Sequence, residues 1–225
     1  MKFSAIAFDL DGTLYPDSGL VLRLIPFFLK EASLLIAMGR ARKILRHLSQ
    51  KDSEYPIGDF YEMQAEYMAG ILKEPAAETR EKTEKLIYRG WEEHFKKIKL
   101  FPHVRETLDT FKKNGFKLGL LSDFPPRQKL ENLGILEYWD IVTSSEESGR
   151  LKPHPHPFLD LAEKLRIRAE EILYVGNNFY YDVIGAGRAG MKTALIQARW
   201  KKKRKDPKPD FTFHNYRQLQ KFVLG

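Results

Sequence analysis

Short apolar runs alternate with stretches of helical periodicity along most of the chain. Fully buried parallel strands read as continuous apolar runs, and such runs separated by helical patterns are typical of an α/β sheet. One helical pattern, around Val104, Leu108 and Phe111, stops at Asn114 and Gly115, which favour a helix end. The sequence therefore predicts a sheet of parallel strands with helices between them. The predicted strands are Phe3–Phe8, Lys117–Leu121, Ile141–Thr143, Ile172–Val175 and Thr193–Ile196.

The segment from Leu20 to about Lys99 departs from this alternation, because it shows helical periodicity only. A helical block between the first and second strands is best explained as an inserted lobe. Two sets of residues have helical spacing, and each set would share one face of its own helix. The first set is Ile57, Phe60, Tyr61, Gln64, Tyr67, Met68, Ile71 and Leu72, and the second is Ile87, Trp91, His94, Phe95 and Ile98. The predicted hinges are Tyr15–Ser18 and Leu100–His103. The predicted division is a core of residues 1–16 and 100–225 and an inserted all-helical lobe of residues 17–99.

The composition predicts a folded protein, because 43% of the 225 residues are hydrophobic and 12% are aromatic. The absence of cysteine excludes disulfides and thiolate chemistry, and it favours a reducing compartment. The N-terminal residues MKFSAIAFDLDG carry charges too early for the apolar stretch of a secretory signal, so we expect a cytoplasmic protein. The net charge of +8 does not by itself separate nucleic acid, membrane and small anionic substrates as partners.

Two carboxylates end the first predicted strand. In AIAFDLDGTLYPDSG, Asp9 follows the apolar run directly and Asp11 lies two residues on, in a turn that Gly12 permits. Ligands of an open α/β sheet bind beyond the carboxyl ends of its strands. Two acids held this close would raise the pKa of one of them, and Mg²⁺ bound to their oxygens would remove that cost. One carboxylate can then be a nucleophile and the other a proton carrier, whereas a solvated turn is the simpler alternative.

Four segments resemble, in order, the four motifs of the haloacid dehalogenase-like (HAD) hydrolases in their phosphatase form. DLDGTLY resembles the first motif, and LGLLSD resembles the second with Ser122. GRLKPHPHPF is similar to the third with Lys152, and ILYVGNNFYYDVIGAGRAGMKT is similar to the fourth with Asp182. The resemblance runs from residue 3 to the C-terminus and leaves only the helical block unmatched in detail. It implies a Rossmann-like core, with the helical block as a cap that closes over the site and selects the leaving group.

The resemblance also implies residue roles. It implies a Mg²⁺-dependent phosphatase that hydrolyses a small phosphomonoester through an aspartyl-phosphate on Asp9, with Asp11 as general acid and base. Phosphate would be bound by Thr13, Ser122, Asp123 and Lys152, and Thr13 would also steady the loop or the nucleophile. The metal would be bound by Asp9, the backbone carbonyl of Asp11, Asp182 and Asn177. Candidates for supporting contacts near the first hinge are Tyr15, Asp17 and Ser18.

The fourth motif departs from the family pattern, because Asn177 stands where the family commonly has an acid. An amide can ligate a cation through its carbonyl oxygen but brings no charge, so the affinity for Mg²⁺ should be weaker. Asparagine here also resembles the metal-independent dehalogenase branch. That branch lacks an acid at the position of Asp11, because halide leaves without a proton, whereas the alkoxide of a phosphate ester benefits from one. Asp11 therefore favours a phosphatase, with a 2-haloacid dehalogenase and a non-catalytic phosphate-binding or scaffold protein as alternatives.

The apolar stretch Gly19–Met38 is long enough to span a membrane, but charges interrupt it. Arg23 lies inside it and Lys30 near its middle, and each charge costs about 2.5–3.5 kcal/mol at the centre of a spanning helix. We therefore expect a helix packed on the core and no transmembrane segment. As a second option, an exposed face would serve dimerisation or contact with an anionic membrane surface. The basic residues that would assist such contact are Arg40, Arg42, Lys43 and Arg46.

Two polar segments raise binding hypotheses of their own. The basic run Arg199–Lys208 is similar to nucleic-acid or localisation patches, but Trp200 is its only aromatic residue, so a solvated loop before the last strand is preferred. His154 and His156 have a spacing that could bind a transition metal, but between prolines they are better explained as loop residues. The expected partner is a small phosphate ester, with no nucleic acid, and the expected state is a monomer or a homodimer.

Overall fold

The computed structural model describes residues 3–17, 25, 27, 29–51, 58–90, 95, 98–198 and 207–225. Within these residues, six parallel strands form one sheet in the order β3-β2-β1-β4-β5-β6. β1 therefore lies inside the sheet, with its carboxyl end between those of β2 and β4. The strands are β1 Ala5–Phe8, β2 Lys117–Ser122, β3 Ile141–Ser144, β4 Ile172–Gly176, β5 Lys192–Ile196 and β6 Phe211–Phe213.

All five predicted strands are present, and the Rossmann-like α/β fold is confirmed by the strand order and the parallel pairing. β2, β3 and β4 each end one residue later than the apolar runs do. The reason is that small or polar end residues still pair across the sheet, as Ser122 does with Ser144. β6 follows the basic run, where a last strand was expected, but its three residues give too short an apolar run for its bounds to be predicted. Its pairing with β5, and not its own pattern, defines it.

Eight α-helices lie in the described part of the chain, and several continue into short turns of other helical types. The helices are α1 Ala32–Lys51, α2 Phe60–Leu72, α3 Ala76–Thr83, α4 Val104–Lys113, α5 Arg127–Leu133, α6 His156–Leu165, α7 Gly185–Arg188 and α8 Tyr216–Leu224. Wider turns follow α3 at Glu84–Tyr88 and precede α7 at Phe179–Ile184. Tighter turns lie at Leu136–Tyr138 and Ala169–Glu171.

Helices cover both faces of the sheet, which gives the sheet two apolar layers. One layer contains the α4 face predicted from the sequence, Val104, Leu108 and Phe111, together with residues of α5 and α8. The other layer is built on α6 and α7, and its member Phe158 is fully buried. β1 and β4 are consequently buried on both sides, which is why they read as continuous apolar runs in the sequence.

The helices between β1 and α4 form an apolar cluster of their own. Its members are Leu34, Ala37, Met38 and Ala41 of α1, Met68 of α2 and Ile87. Much of the apolar stretch Gly19–Met38 lies outside the described residues, as do Ile57, Trp91 and His94 of the predicted helix faces and most of the basic run Arg199–Lys208. No helix in the described part of the chain is both long enough and apolar enough to cross a membrane. The boundaries of the inserted lobe stay a prediction.

Candidate active site

The candidate active site lies beyond the carboxyl ends of the central strands. Asp9 follows β1 directly, and its backbone N–H donates to the carbonyl of Val175 on β4 at 2.9 Å. A cavity of about 210 Å³ opens at this edge. It is lined by Asp9, Asp11, Asp17, Asp123, Phe124, Lys152, Asn177, Asn178, Tyr181 and Asp182. The structure thus brings six of the eight predicted site residues into one cavity, and the other two, Thr13 and Ser122, are buried next to it.

Lys152 forms ion pairs with an aspartate of the first motif and with one of the fourth. Its Nζ lies 2.8 Å from Asp9 Oδ1 and 3.0 Å from Asp182 Oδ1, and the lysine is only 2% exposed. The other oxygen of Asp9 accepts a hydrogen bond from Thr13 Oγ1 at 2.8 Å. Burial, together with the nearby charge of Asp182, raises the pKa of Asp9 to about 7 although Lys152 opposes the shift. One ammonium group shared by two buried carboxylates therefore leaves negative charge incompletely offset.

Asp11 has a different set of partners. Burial by itself would raise its pKa, but Lys129 outweighs burial and holds the pKa of Asp11 below its usual value. The Nζ of Lys129 lies 2.7 and 2.9 Å from the two carboxylate oxygens, and the hydroxyl of Tyr15 also donates to Asp11. Ser122 Oγ lies 3.4 Å from Asp11 Oδ2. Lys129 is a site residue that the sequence analysis missed, because a lysine in α5 belongs to no motif.

Asp182 closes the turn that follows β4. Its Oδ2 accepts hydrogen bonds from the backbone N–H groups of Asn177 at 3.1 Å and Asn178 at 2.9 Å. A Cβ atom on Gly176 would lie 2.4 Å from the Asp182 side chain, so this approach requires glycine. Asn178 caps the following turn, because its Oδ1 accepts hydrogen bonds from the backbone N–H groups of Tyr180 and Tyr181 at 3.0 Å each. Asp182 is thereby free of the helix-capping role and directs its Oδ1 to Lys152.

Asn177 packs against the turn of the first motif. Gly12 has a φ of +75°, and a Cβ atom there would lie 1.9 Å from the side-chain nitrogen of Asn177. Position 12 therefore requires glycine for two reasons, its positive φ and the nearby side-chain amide of Asn177. Asn177 also lines the same cavity as Asp9 and Asp182.

The donors in this cavity fit Mg²⁺ in chemical type. Two carboxylates, Asp9 and Asp182, converge on one cationic group, and the amide of Asn177 lines the same space. Hard oxygen ligands of this kind suit Mg²⁺. No group of three or more His, Cys, Asp or Glu residues that could hold a metal ion occurs in the described part of the chain. With Asn177 at this position, the donor set has one carboxylate fewer than it would have with an acid there.

The carboxylate of Asp123 is occupied by other side chains. It accepts hydrogen bonds from Arg46 Nη2 and Ser145 Oγ, each at 2.5 Å. Burial would raise the pKa of Asp123, but Arg42 and Arg46 outweigh it and lower that pKa. Because a carboxylate repels a phosphoryl group, only its backbone could serve in phosphate binding. That predicted role of Asp123 stays a prediction.

Two arginines of α1 reach the strand ends of the sheet. Arg42, 5% exposed, pairs with Glu146, and its guanidinium lies 4.1 Å from the centre of the Phe124 ring. Arg46 Nε donates to the carbonyl of Lys152 at 2.9 Å. From the sequence, both arginines were expected, as a second option, to assist contact with an anionic membrane surface. The structure turns these two inward, so they are unavailable to such a surface.

His154 lies in a loop, whereas His156, which was also expected in a loop, is the first residue of α6. His154 Nδ1 accepts from the backbone N–H of His156 at 3.1 Å, and its Nε2 lies 3.1 Å from Arg150 Nη1. Burial, with Arg150 nearby, lowers the pKa of His154 to about 4. Both ring nitrogens of His154 are therefore engaged, which agrees with the loop interpretation.

Comparison with known proteins decides the family. The family model described as a haloacid dehalogenase-like hydrolase matches residues 3–190, which is most of the chain. The chain belongs to this family. The predicted family and the expectation of an enzyme of the phosphatase type are thereby confirmed, and the sequence relatives of this HAD-like hydrolase agree with them.

Two curated relatives are named as phosphatases. A "Glyceraldehyde 3-phosphate phosphatase" of Methanopyrus kandleri is 29% identical over 224 residues, covering 96% of this chain and 94% of the relative. A "Pyrophosphatase PpaX" of Bacillus cereus is 28% identical over 206 residues, covering 87% of this chain and 84% of the relative. The alignments span nearly the full length of both chains, so they include the helical block.

Solved structures agree with the fold. A HAD phosphatase from Thermococcus onnurineus superposes with a TM-score of 0.65 at 22% identity, covering 99% of this chain and 98% of that one. A 2-haloacid dehalogenase from Pseudomonas syringae superposes with a TM-score of 0.70 at 23% identity, with the same coverage. Because both activities occur among these structures, the fold alone does not separate a phosphatase from a dehalogenase.

Proposed function

We propose that this hydrolase is a Mg²⁺-dependent phosphatase that cleaves a small phosphomonoester through an aspartyl-phosphate on Asp9. The observation that carries the proposal is the pairing of Asp9 with Lys152 in a cavity that Asp11 also lines. The cavity holds a carboxylate to attack phosphorus, a buried cation to balance the phosphoryl charge, and a second carboxylate to move a proton. Each of these is a requirement of phosphoryl transfer to an enzyme carboxylate.

In the first step, a carboxylate oxygen of Asp9 attacks phosphorus and the bond to the leaving oxygen breaks. Thr13 donates to Asp9 Oδ2 and so fixes the orientation of the nucleophile. Lys152 places its ammonium beside Asp9, where negative charge on the transferring group is greatest. Removing either group would leave Asp9 less well oriented or the phosphoryl charge less well balanced.

Asp11 moves the proton in both steps. A phosphoryl group arriving nearby adds negative charge, which raises the pKa of Asp11 and allows it to carry a proton to the leaving oxygen. In the second step, the Asp11 carboxylate takes a proton from the water that hydrolyses the aspartyl-phosphate. Lys129 and Tyr15 hold Asp11 in place throughout, since both contact its carboxylate.

The residues that would hold Mg²⁺ are Asp9, Asp182, Asn177 and the backbone carbonyl of Asp11. When bound, Mg²⁺ supplies positive charge beside the phosphoryl oxygens and the two carboxylates. The N–H groups of Asn177 and Asn178 keep the Asp182 carboxylate oriented toward this position. Because Asn177 brings no charge, we expect Asn177→Asp to lower the Mg²⁺ concentration that gives half-maximal activity by about tenfold.

We further propose that residues 17–99 act as a cap over the site. Support comes from the inward arginines of α1, because Arg46 contacts both Asp123 and the backbone of Lys152. A cap tied to the loop that carries Lys152 would exclude water from the site when it closes.

The test is a panel of phosphate esters measured with and without added Mg²⁺, for the natural chain and for Asn177→Asp. We expect release of inorganic phosphate that depends on Mg²⁺, and a lower Mg²⁺ requirement in the variant. The same preparation is given 2-chloropropionate without metal, because Asn177 resembles the dehalogenase branch. Chloride release without metal, together with no phosphate release from any ester, would overturn the proposal in favour of a dehalogenase.

A further inference from the structure

A second cavity, of about 610 Å³, lies beside the candidate active site. On the basis of the proposed phosphatase function, we propose that this cavity binds an uncharged aromatic ring carried by the leaving group of the substrate. The aromatic residues that line it are Tyr61, Tyr88, Phe95 and Phe124. Its volume is in the range of cavities that hold small organic ligands.

The position of the second cavity favours the leaving group as its occupant. Lys129 lines the second cavity and binds Asp11, which lines the site cavity. Phe124 lines both. Since the leaving oxygen receives its proton from Asp11, the group attached to that oxygen lies on the Asp11 side of the phosphorus. That side continues into the aromatic cavity, whereas the site cavity of about 210 Å³ offers little room beyond the phosphoryl group.

Three of the rings form a connected wall. Tyr61 and Tyr88 meet edge to face, with ring centres 5.6 Å apart and planes at 77°. Tyr88 and Phe124 continue the wall at 6.2 Å and 58°. The buried guanidinium of Arg42 lies 4.1 Å from the centre of the Phe124 ring and packs on it. Tilted and edge-to-face contacts are the geometry in which aromatic rings attract one another, so the wall is preorganised for a further ring.

The charges around the cavity argue against a second anionic group on the substrate. Lys129 is paired with Asp11, and Arg89 is paired with Glu84 at 2.9 Å. Arg127 and Glu131, also in the lining, carry opposite charges. No cation excess therefore distinguishes this cavity, and an uncharged ring suits it better than a carboxylate or a second phosphate.

The experiment compares 3-phenylpropyl phosphate with propyl phosphate, both with saturating Mg²⁺. The two esters release alkoxides of similar basicity, so a difference in kcat/KM reports binding of the ring and not leaving-group chemistry. Burial of a phenyl ring predicts a ratio of about 10- to 100-fold in favour of the aromatic ester. A ratio near one would overturn the proposal. Failure of both esters to react would overturn the proposed function as well, so the two failures are distinguishable.

Variants of α2 test whether the ring wall carries the preference. We expect Tyr61→Leu to lower the ratio by about fivefold or more and Tyr61→Phe to restore it, because phenylalanine returns the ring without the hydroxyl. Tyr67→Leu is the matched control, since Tyr67 lies on the same helix, packs in the apolar cluster of the lobe and lines neither cavity. A ratio that falls equally in Tyr67→Leu, or that is unchanged in Tyr61→Leu, contradicts the assignment.

Discussion

The two sides of the candidate active site each hold a buried aspartate, but the pKa values of these two aspartates are shifted in opposite directions. On the sheet side, Asp9 shares the ammonium of Lys152 with Asp182, and the pKa of Asp9 rises to about 7. On the α5 side, Asp11 pairs with Lys129 and a tyrosine hydroxyl, and its pKa falls. Burial acts on both in the same direction. The difference arises because one cation serves two acids on the first side, while the second side gives one acid a cation of its own.

This difference indicates a division of labour. In the proposed mechanism, the side with incompletely offset negative charge would hold Mg²⁺ and the nucleophile. A carboxylate with its own ammonium keeps its position and returns to the ionised state after each proton transfer. Two acids two residues apart in the chain can therefore serve different steps, provided that the fold supplies their partners separately.

The largest expected effect is on the sheet side. Asp9→Asn removes the nucleophile and should lower kcat by about 10⁴-fold or more on any phosphate ester. Asp160→Asn is a matched control, because Asp160 is a partly exposed acid of α6 that pairs with Lys164 and lies outside the site cavity. Phosphate release should be measured under saturating Mg²⁺. Retention of full activity in Asp9→Asn would exclude the mechanism.

Asp11→Asn tests the α5 side of the site, and the size of the loss in kcat should depend on the leaving group of the substrate. With an alkyl phosphate, loss of the general acid should reduce kcat about 10²- to 10⁴-fold. With p-nitrophenyl phosphate the loss should be smaller, because nitrophenolate leaves without a proton. Steady-state kinetics on the two esters measure this contrast. Equal losses on both esters would show that Asp11 does not protonate the leaving oxygen.

Lys129→Met removes the ammonium that pairs with Asp11, so that neither Asp11 nor Asp9 has a lysine of its own. Without its ammonium the pKa of Asp11 rises, so Asp11 becomes protonated at a higher pH and its function as a base is lost sooner as the pH falls. We expect the decline of kcat on the acid side to move to higher pH, so that the loss relative to the natural chain is larger at low pH than at neutral pH. The pH profile of kcat reports the shift, and Lys164→Met on α6 serves as the control. A uniform loss at every pH would indicate misfolding or misplacement of Asp11 instead.

The smallest expected effect at neutral pH concerns the pH response of Asp9 itself. Its raised pKa means that Asp9 is protonated, and so inactive as a nucleophile, below about pH 7 when metal is scarce. The value of kcat/KM at low Mg²⁺ should therefore fall about tenfold for each unit below pH 7. Saturating Mg²⁺ favours the ionised carboxylate and should move this decline to lower pH. A decline that does not respond to Mg²⁺ would mean that the metal does not bind near Asp9.

Much of the fold and part of the site follow from local patterns. The apolar runs give five of the strands, and α4 appears where the spacing of Val104, Leu108 and Phe111 places it. DLDGTLY and its companion motifs identify Asp9, Lys152 and Asp182, which the structure brings together. The catalytic and metal-binding roles of these residues stay predictions. Each of these inferences depends on periodicity or motif spacing, which are properties of neighbouring residues.

Other features have no local signal. In the sequence, nothing distinguishes Lys129 from other helix lysines, and its contact with Asp11 arises only because α5 packs beside the end of β1. In the same way, the pairing of Glu146 with Arg42 of α1 arises only in the tertiary structure. The arginines of α1 read as a basic surface in the sequence because the pattern does not say which face of a helix meets another part of the chain. Their partners lie 104 residues away for Arg42 and 77 for Arg46.

The sequence by itself determined the approximate positions of five strands and that two acids follow the first of them, because strand patterning and residue order are local. Only the tertiary structure decided which acid holds its proton near neutral pH. That outcome depends on cations 143 residues from Asp9 and 118 residues from Asp11, and on how deeply each carboxylate is buried. Electrostatic energy falls with distance in space and with hydration, and neither quantity can be read from positions along the chain.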